Sequence, residues 1–214
     1  VDRRGLYPIV DVDSLRAHGL PLLAFAERVL EAEPAMLQLR AKSTGARETL
    51  EILRALRPRC RAQGTLLFAN DRPDLALLAD ADGVHVGQGD LSLADVRRCA
   101  PRLLVGVSTH RIEELETALA ERPAYVAFGP VFATSSKQNP DPCVGLLGLA
   151  EANRLARRAG ICLVAIGGIG LGQARAVAEH ADAASVISAL IPTSGNLDEI
   201  TARAHAFQAA FAAS

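Results

Sequence analysis

Short apolar runs rich in branched residues alternate along the chain with longer stretches whose apolar positions recur at helical spacing. The short runs, read as strands, cover residues 6–11, 36–40, 65–70, 83–87, 103–108, 125–129, 162–167 and 184–188. The longer stretches, read as helices, cover 21–33, 46–62, 73–79, 91–99, 112–121, 146–158, 172–180 and 197–211. Gly64 and Gly160 follow two of these stretches and mark their ends. Strands alternating with helices predict parallel pairing through helical crossovers. Eight such units in 214 residues predict an α/β fold, a single-domain (β/α)8 TIM barrel spanning residues 1–214. An open doubly wound sheet is the alternative, although it more usually stops at fewer strands. The polar stretch 134–144 is long for a strand-to-helix loop and suggests a binding segment.

Composition narrows the function without naming it. Half the residues are apolar, 22% are charged and the formal net charge is −1, so nothing favours bulk binding to nucleic acid or membrane. An anionic ligand must then be held by a local group of cations. Cys60, Cys99, Cys143 and Cys162 are scattered, without zinc or disulfide spacing. They read as reduced thiols of a cytoplasmic protein. No apolar run reaches membrane-span length, and no signal peptide is recognised before Leu6.

A barrel of this kind carries its active site at the C-terminal ends of its strands, and polar residues crowd those ends here. Gln38, Arg40 and Lys42 alternate, so they share one face of their strand. The two cations need an anionic partner, either a ligand or an interior acid such as Asp11. Asp71 and Asp90 close neighbouring strands, where they either share a divalent ion such as magnesium or cap the helices that follow. Gly167 and Gly168, with Ser188 on the next strand, fall where such barrels bind phosphate. His85 and His110 read equally well as packed core groups or site residues. Cys143 has no base beside it, and no nucleophile–base pair is evident.

These segments together resemble the thiamine phosphate synthase family, from Leu6 to about Leu190. The resemblance rests on Gln38-Leu39-Arg40-Ala41-Lys42, Asn70-Asp71-Arg72, His85-Val86-Gly87-Gln88 with Asp90, and Gly106-Val107-Ser108-Thr109-His110. It continues through the run from Phe128-Gly129-Pro130 to Thr134-Ser135-Ser136-Lys137, then Ile166-Gly167-Gly168-Ile169 and Val186-Ile187-Ser188. It implies an enzyme that joins hydroxymethylpyrimidine diphosphate to a thiazole phosphate, releasing pyrophosphate and giving thiamine monophosphate, with Mg2+ as cofactor. Carried onto this chain, Gln38, Leu39, Arg40, Ala41 and Lys42 bind the pyrimidine diphosphate with Asn70, Ser108 and Lys137. Asp71 and Asp90 hold the metal. Thr134, Ser135, Ser136, Gly168, Ile187 and Ser188 bind the thiazole phosphate. Lys137, Arg40 and Ser108 form the catalytic set.

Cations and hydrogen-bond donors suit departure of an anionic leaving group better than attack by a side chain. The expected path therefore has pyrophosphate leaving first and the thiazole nitrogen capturing a pyrimidine-methyl cation. The expected partners are these two small molecules; a homo-oligomer is left open. Departures from the family pattern fall at His180, Ala183 and Ser185 and across residues 138–144, on the thiazole side. The runner-up is a thiazole tautomerase on a related barrel, which lacks the full metal and diphosphate set. A non-catalytic phosphate-binding barrel comes third.

Overall fold

The computed structural model describes residues 4–134 and 142–212. Its strands are β1 (Gly5–Asp11), β2 (Met36–Arg40), β3 (Leu66–Asn70), β4 (Gly83–Val86), β5 (Leu104–Thr109), β6 (Tyr125–Phe128), β7 (Cys162–Ile166) and β8 (Ala183–Val186). Each pairs in parallel with the next, and β8 pairs with β1, so the sheet closes into the expected barrel. The crossovers are α1 (Val12–Ala17) and α2 (Leu22–Leu30), α3 (Ala46–Ala62), α4 (Pro73–Leu78), α5 (Leu93–Cys99), α6 (Ile112–Ala120), α7 (Gly145–Ala159) and α8 (Leu171–Ala178). After β8 come a 3-10 turn, Ser188–Leu190, and α9 (Leu197–Ala212). None of the described helices is long and apolar enough to cross a membrane.

Strand alternation sorts the side chains into two cores. Outward residues such as Leu37, Leu39, Leu67 and Val126 pack against the helices in one large cluster. Inward residues Tyr7, Met36, Phe68, Tyr125, Ala127, Val164 and Ala183 fill the barrel itself. The rings of Tyr7, Phe68 and Tyr125 meet edge to face, with centroids 5.4–6.1 Å apart. Glycines make room for them. A Cβ on Gly106 would fall 2.0 Å from the Tyr125 ring, and one on Gly83 would fall 2.3 Å from Phe68. The barrel floor is thus solid, and the open space lies above it, at the C-terminal ends of the strands.

Several local expectations are corrected. Helix α1 was not anticipated; Asp11 caps it by accepting from the Ser14 N–H at 2.8 Å. Asp71 and Asp90 do not cap the helices after them. Arg72 is the N-cap of α4 and makes no side-chain cap bond, while Ser92 caps α5. Strand β8 stops at Val186, so Ile187 and Ser188 belong to the turn beyond it.

Candidate active site

A cavity of about 500 Å³ opens at the C-terminal rim, within the size range of small-molecule sites. Its wall gathers most of the predicted residues: Gln38, Arg40 and Lys42 from β2 and its loop, and Asn70, Asp71, Asp90 and Ser108 from the next three strand ends. Thr134, Gly168, Ile187 and Ser188 complete the opposite side. Leu39 and Ala41 do not line it. Alternation turns Leu39 outward, where it is 1% exposed in the helix-facing core, and Ala41 packs against that same core. Ser135, Ser136 and Lys137 lie outside the described residues.

The cations already have protein partners. Arg40 reaches the buried carboxylate of Asp11 at 2.5 Å, the interior-acid pairing weighed from the sequence, yet its side chain still lines the cavity. Lys42 pairs with Asp71. Asp71 sits at φ +62°, the left-handed region that non-glycine residues seldom adopt and that concentrates at functional sites. Its N–H donates to the His85 carbonyl at 2.8 Å, which fixes that turn. Burial pushes its carboxyl above the ordinary value; Lys42 opposes the shift, and a hydrogen bond and like charge from Asp90 reinforce it. Asp90 accepts from the Gly87 N–H at 2.8 Å and is thereby held toward the rim. Two carboxylates this close repel unless a proton or cation lies with them. Among the described residues no three acidic, histidine or cysteine side chains cluster as metal ligands. Magnesium, however, commonly takes only one or two carboxylates and fills its remaining positions with phosphate and water, so the pair fits that ion.

Below the rim a hydrogen-bonded chain crosses the barrel. The Gln38 amide nitrogen donates to the Tyr7 hydroxyl at 3.0 Å, and the Tyr7 and Tyr125 hydroxyls are 2.7 Å apart. The Tyr125 hydroxyl lies 2.8 Å from His85 Nδ1, and His85 Nε2 lies 2.7 Å from Ser108 Oγ. Burial lowers the His85 pKa to about 4, so its ring is neutral near pH 7. His85 is therefore both of the things weighed for it, a satisfied core group and a neighbour of the site. Tyr7 and Tyr125 were not singled out from the sequence. The available signal was the glycine at 106, which pairs in register with Tyr125. His110 lines the cavity too, with its backbone N–H donating to Glu114 at 2.8 Å.

On the far side, the loop after β6 runs backbone to backbone against the glycine turn after β7. The Val131 N–H donates to the Ile166 carbonyl at 2.9 Å, and that of Phe132 to Gly167 at 3.0 Å. Gly168 is left-handed at φ +64°, and a Cβ there would sit 2.3 Å from the Ala133 carbonyl oxygen. Only glycine lets these two backbones approach so closely. Ser185, one of the departures, is buried against the cavity, and its hydroxyl has no partner among the described residues.

The family model described as thiamine monophosphate synthase matches residues 6–190. The chain belongs to the thiamine monophosphate synthase family. It is 43% identical over 192 residues to the thiamine-phosphate synthase of Koribacter versatilis, covering 87% of this chain and 88% of that one. With the thiamine-phosphate synthase of Anaeromyxobacter dehalogenans it shares 42% over 211 residues, 98% of this chain and 88% of that one. The solved thiamine phosphate pyrophosphorylase of Pyrococcus furiosus superposes with a TM-score of 0.85 at 30% identity, covering 99% of this chain and 97% of that one. The activity is accordingly that of a thiamine-phosphate synthase, a transferase acting on small molecules.

Proposed function

We propose that the cavity binds the pyrimidine diphosphate along the Gln38–Arg40–Lys42 face with Asn70 and Ser108, and the thiazole phosphate between Thr134 and the Gly168–Ser188 side. The observation that carries this reading is the Asp71–Asp90 carboxylate pair beside Lys42 at the rim of the cavity. Asp71 and Asp90 hold Mg2+, which when bound supplies positive charge to the diphosphate. Arg40 and Lys42 keep N–H donors for phosphate oxygens, and the Ser108 hydroxyl adds one more. Gln38, pinned by Tyr7, orients the pyrimidine ring.

Pyrophosphate then leaves first, and the pyrimidine-methyl cation is captured by the thiazole nitrogen. The absence of any recognised nucleophile–base pair in the sequence favours this path, in which the protein contributes position and charge. Lys137 follows the cavity residue Thr134 closely in sequence, and we assign it to charge on the departing diphosphate. A cytoplasmic location and independence from nucleic acid and membrane belong to the same reading. The tautomerase alternative is disfavoured by the acidic pair, for which an isomerisation without diphosphate has no use.

The test is incubation with both substrates and Mg2+, reading thiamine monophosphate and pyrophosphate. Formation of both, lost when Asp71 and Asp90 are both alanine, is expected. Full activity in that double variant would refute the metal assignment, and turnover of the thiazole alone would favour the tautomerase. Lys137→Ala is expected to slow the single-turnover step by roughly a hundredfold, the usual worth of a positioned charge; an unchanged rate removes Lys137 from the mechanism.

A further inference from the structure

Strands of a closed parallel barrel turn their side chains inward in layers, each layer drawn from alternate strands. Following the register around this barrel puts Gln38 of β2, His85 of β4, Ala127 of β6 and Ser185 of β8 in one layer. All of them line the cavity. Arg40 and Ile187 stand two residues farther along β2 and beyond β8, toward the rim. The Gln38–Ser185 layer is therefore the cavity floor, below the groups that meet the anionic ends of the substrates.

The polar members of this floor are withdrawn from water: Gln38 is 2% exposed, His85 7% and Ser185 5%. Gln38 meets Tyr7, and His85 meets Tyr125 and Ser108. The Ser185 hydroxyl has no hydrogen-bond partner among the described residues. Burying a hydroxyl without a partner opposes folding, and folded chains leave few such groups. Here the residue lines a ligand cavity, so a ligand can supply the missing bond. Serine has a single side-chain torsion, and turning it presents the hydroxyl to the cavity without moving the strand.

The surroundings select what that ligand group is. Ser185 pairs in register with Ile166 of β7, and Ile9, Val164 and Ala127 also line the cavity. These apolar side chains suit the faces of a flat ring, leaving Gln38 and Ser185 for its polar edge. Both β2 and β8 flank β1, so these two residues are neighbouring corners of the layer. The thiazole ring has one nitrogen, and that atom must stay free to attack. The aminopyrimidine carries ring nitrogens and an amino group that take no part in bond making.

We propose that Ser185 is a further substrate-binding residue, whose hydroxyl completes its hydrogen bonding on the nitrogen-bearing edge of the pyrimidine ring beside Gln38. The assignment rests on the proposed placement of the pyrimidine along the Gln38 face. It also moves Ser185 from the thiazole side, where the sequence set it, to the pyrimidine side, because the residue lies at the floor and not at the phosphate-binding rim.

Ser185→Ala tests this with two readouts. In the ligand-free protein the hydroxyl bonds nothing, so the variant is expected to unfold at the same temperature or higher. A fall of about 2 °C or more, the size of one lost hydrogen bond in a chain of this length, would reveal a protein or water partner already in place and overturns the proposal. Titration calorimetry in the presence of Mg2+ reads binding. Affinity for the pyrimidine diphosphate is expected to fall about fivefold or more. Affinity for inorganic pyrophosphate, which has no ring, and for the thiazole phosphate is expected to stay the same. A loss directed at the thiazole phosphate, or an equal loss for pyrophosphate, overturns the assignment. Gln38→Ala separates the proposal from the reading beneath it. If that variant weakens the pyrimidine diphosphate while Ser185→Ala does not, Ser185 is excluded and the pyrimidine placement stands. If neither variant weakens it, the placement falls and the proposal falls with it.

Discussion

At the residue scale, the site is governed by groups whose protonation differs between the folded and unfolded chain. His85 titrates near 6.5 when unfolded and at about 4 when buried. Both states are neutral above the higher value, so no difference arises there; as pH falls from about 6.5 to about 4, only the unfolded chain takes up the proton. Stability is therefore lost across that window, by on the order of 3 kcal/mol from this residue. Replacing His85 with Gln should flatten the acid limb of a denaturation-versus-pH curve, and an identical limb would contradict neutral burial. Asp71 runs the other way. Its raised carboxyl makes the folded chain the better proton binder, so its contribution falls as pH rises through the folded value. Asp90→Asn removes a cause of that shift and should bring Asp71 titration down, as followed by its carboxyl carbon resonance. No movement would mean the two carboxylates do not interact. The cluster of Gln38, Arg40, Lys42, Asp71 and Asp90 was legible from residue type and strand position. Asp11 was open from the sequence as an alternative partner to a ligand, and Arg40 takes it; that Lys42 turns to Asp71 was not legible, because that contact is not local in sequence.

At the element scale, the strands and most helices follow from periodicity, and α3 runs Ala46–Ala62 as read from the sequence. Helix α1 escaped because its six residues are too few to show a helical period. Asp11 is both its cap and the partner of Arg40, so one side chain ties the end of β1 to the substrate-facing strand β2. Strand β5 shows how an element serves the site through what it lacks. Gly106→Ala would drive a methyl into the Tyr125 ring, which is itself fully buried. A cost of about 1–3 kcal/mol is expected from overpacking, together with displacement of the Tyr125 hydroxyl. A lower Tm with reduced activity checks this, and full retention of both would mean the ring is free to move aside.

At the scale of the whole molecule, closure depends on contacts between the two ends of the chain. Strand β8 pairs with β1, and the Leu6 N–H donates to Gln208 of α9 at 2.9 Å. Phe207 on the same helix is fully buried in the helix-facing core. Phe207→Ala should cost about 3–5 kcal/mol, as large core truncations do, read as a lower denaturation midpoint with both KM values unchanged in the folded fraction. A small loss would mean α9 is a dispensable cover. By itself the sequence determined the alternation of elements, hence a parallel sheet, and the polar strand ends, hence a rim site of recognisable family. Both are encoded in local periodicity and short motifs. Only the tertiary structure decided which inward side chains meet across the barrel. Tyr7 and Tyr125 lie 118 positions apart, and their hydroxyl contact exists because closure brings β1 and β6 face to face across a floor too narrow to keep them separate.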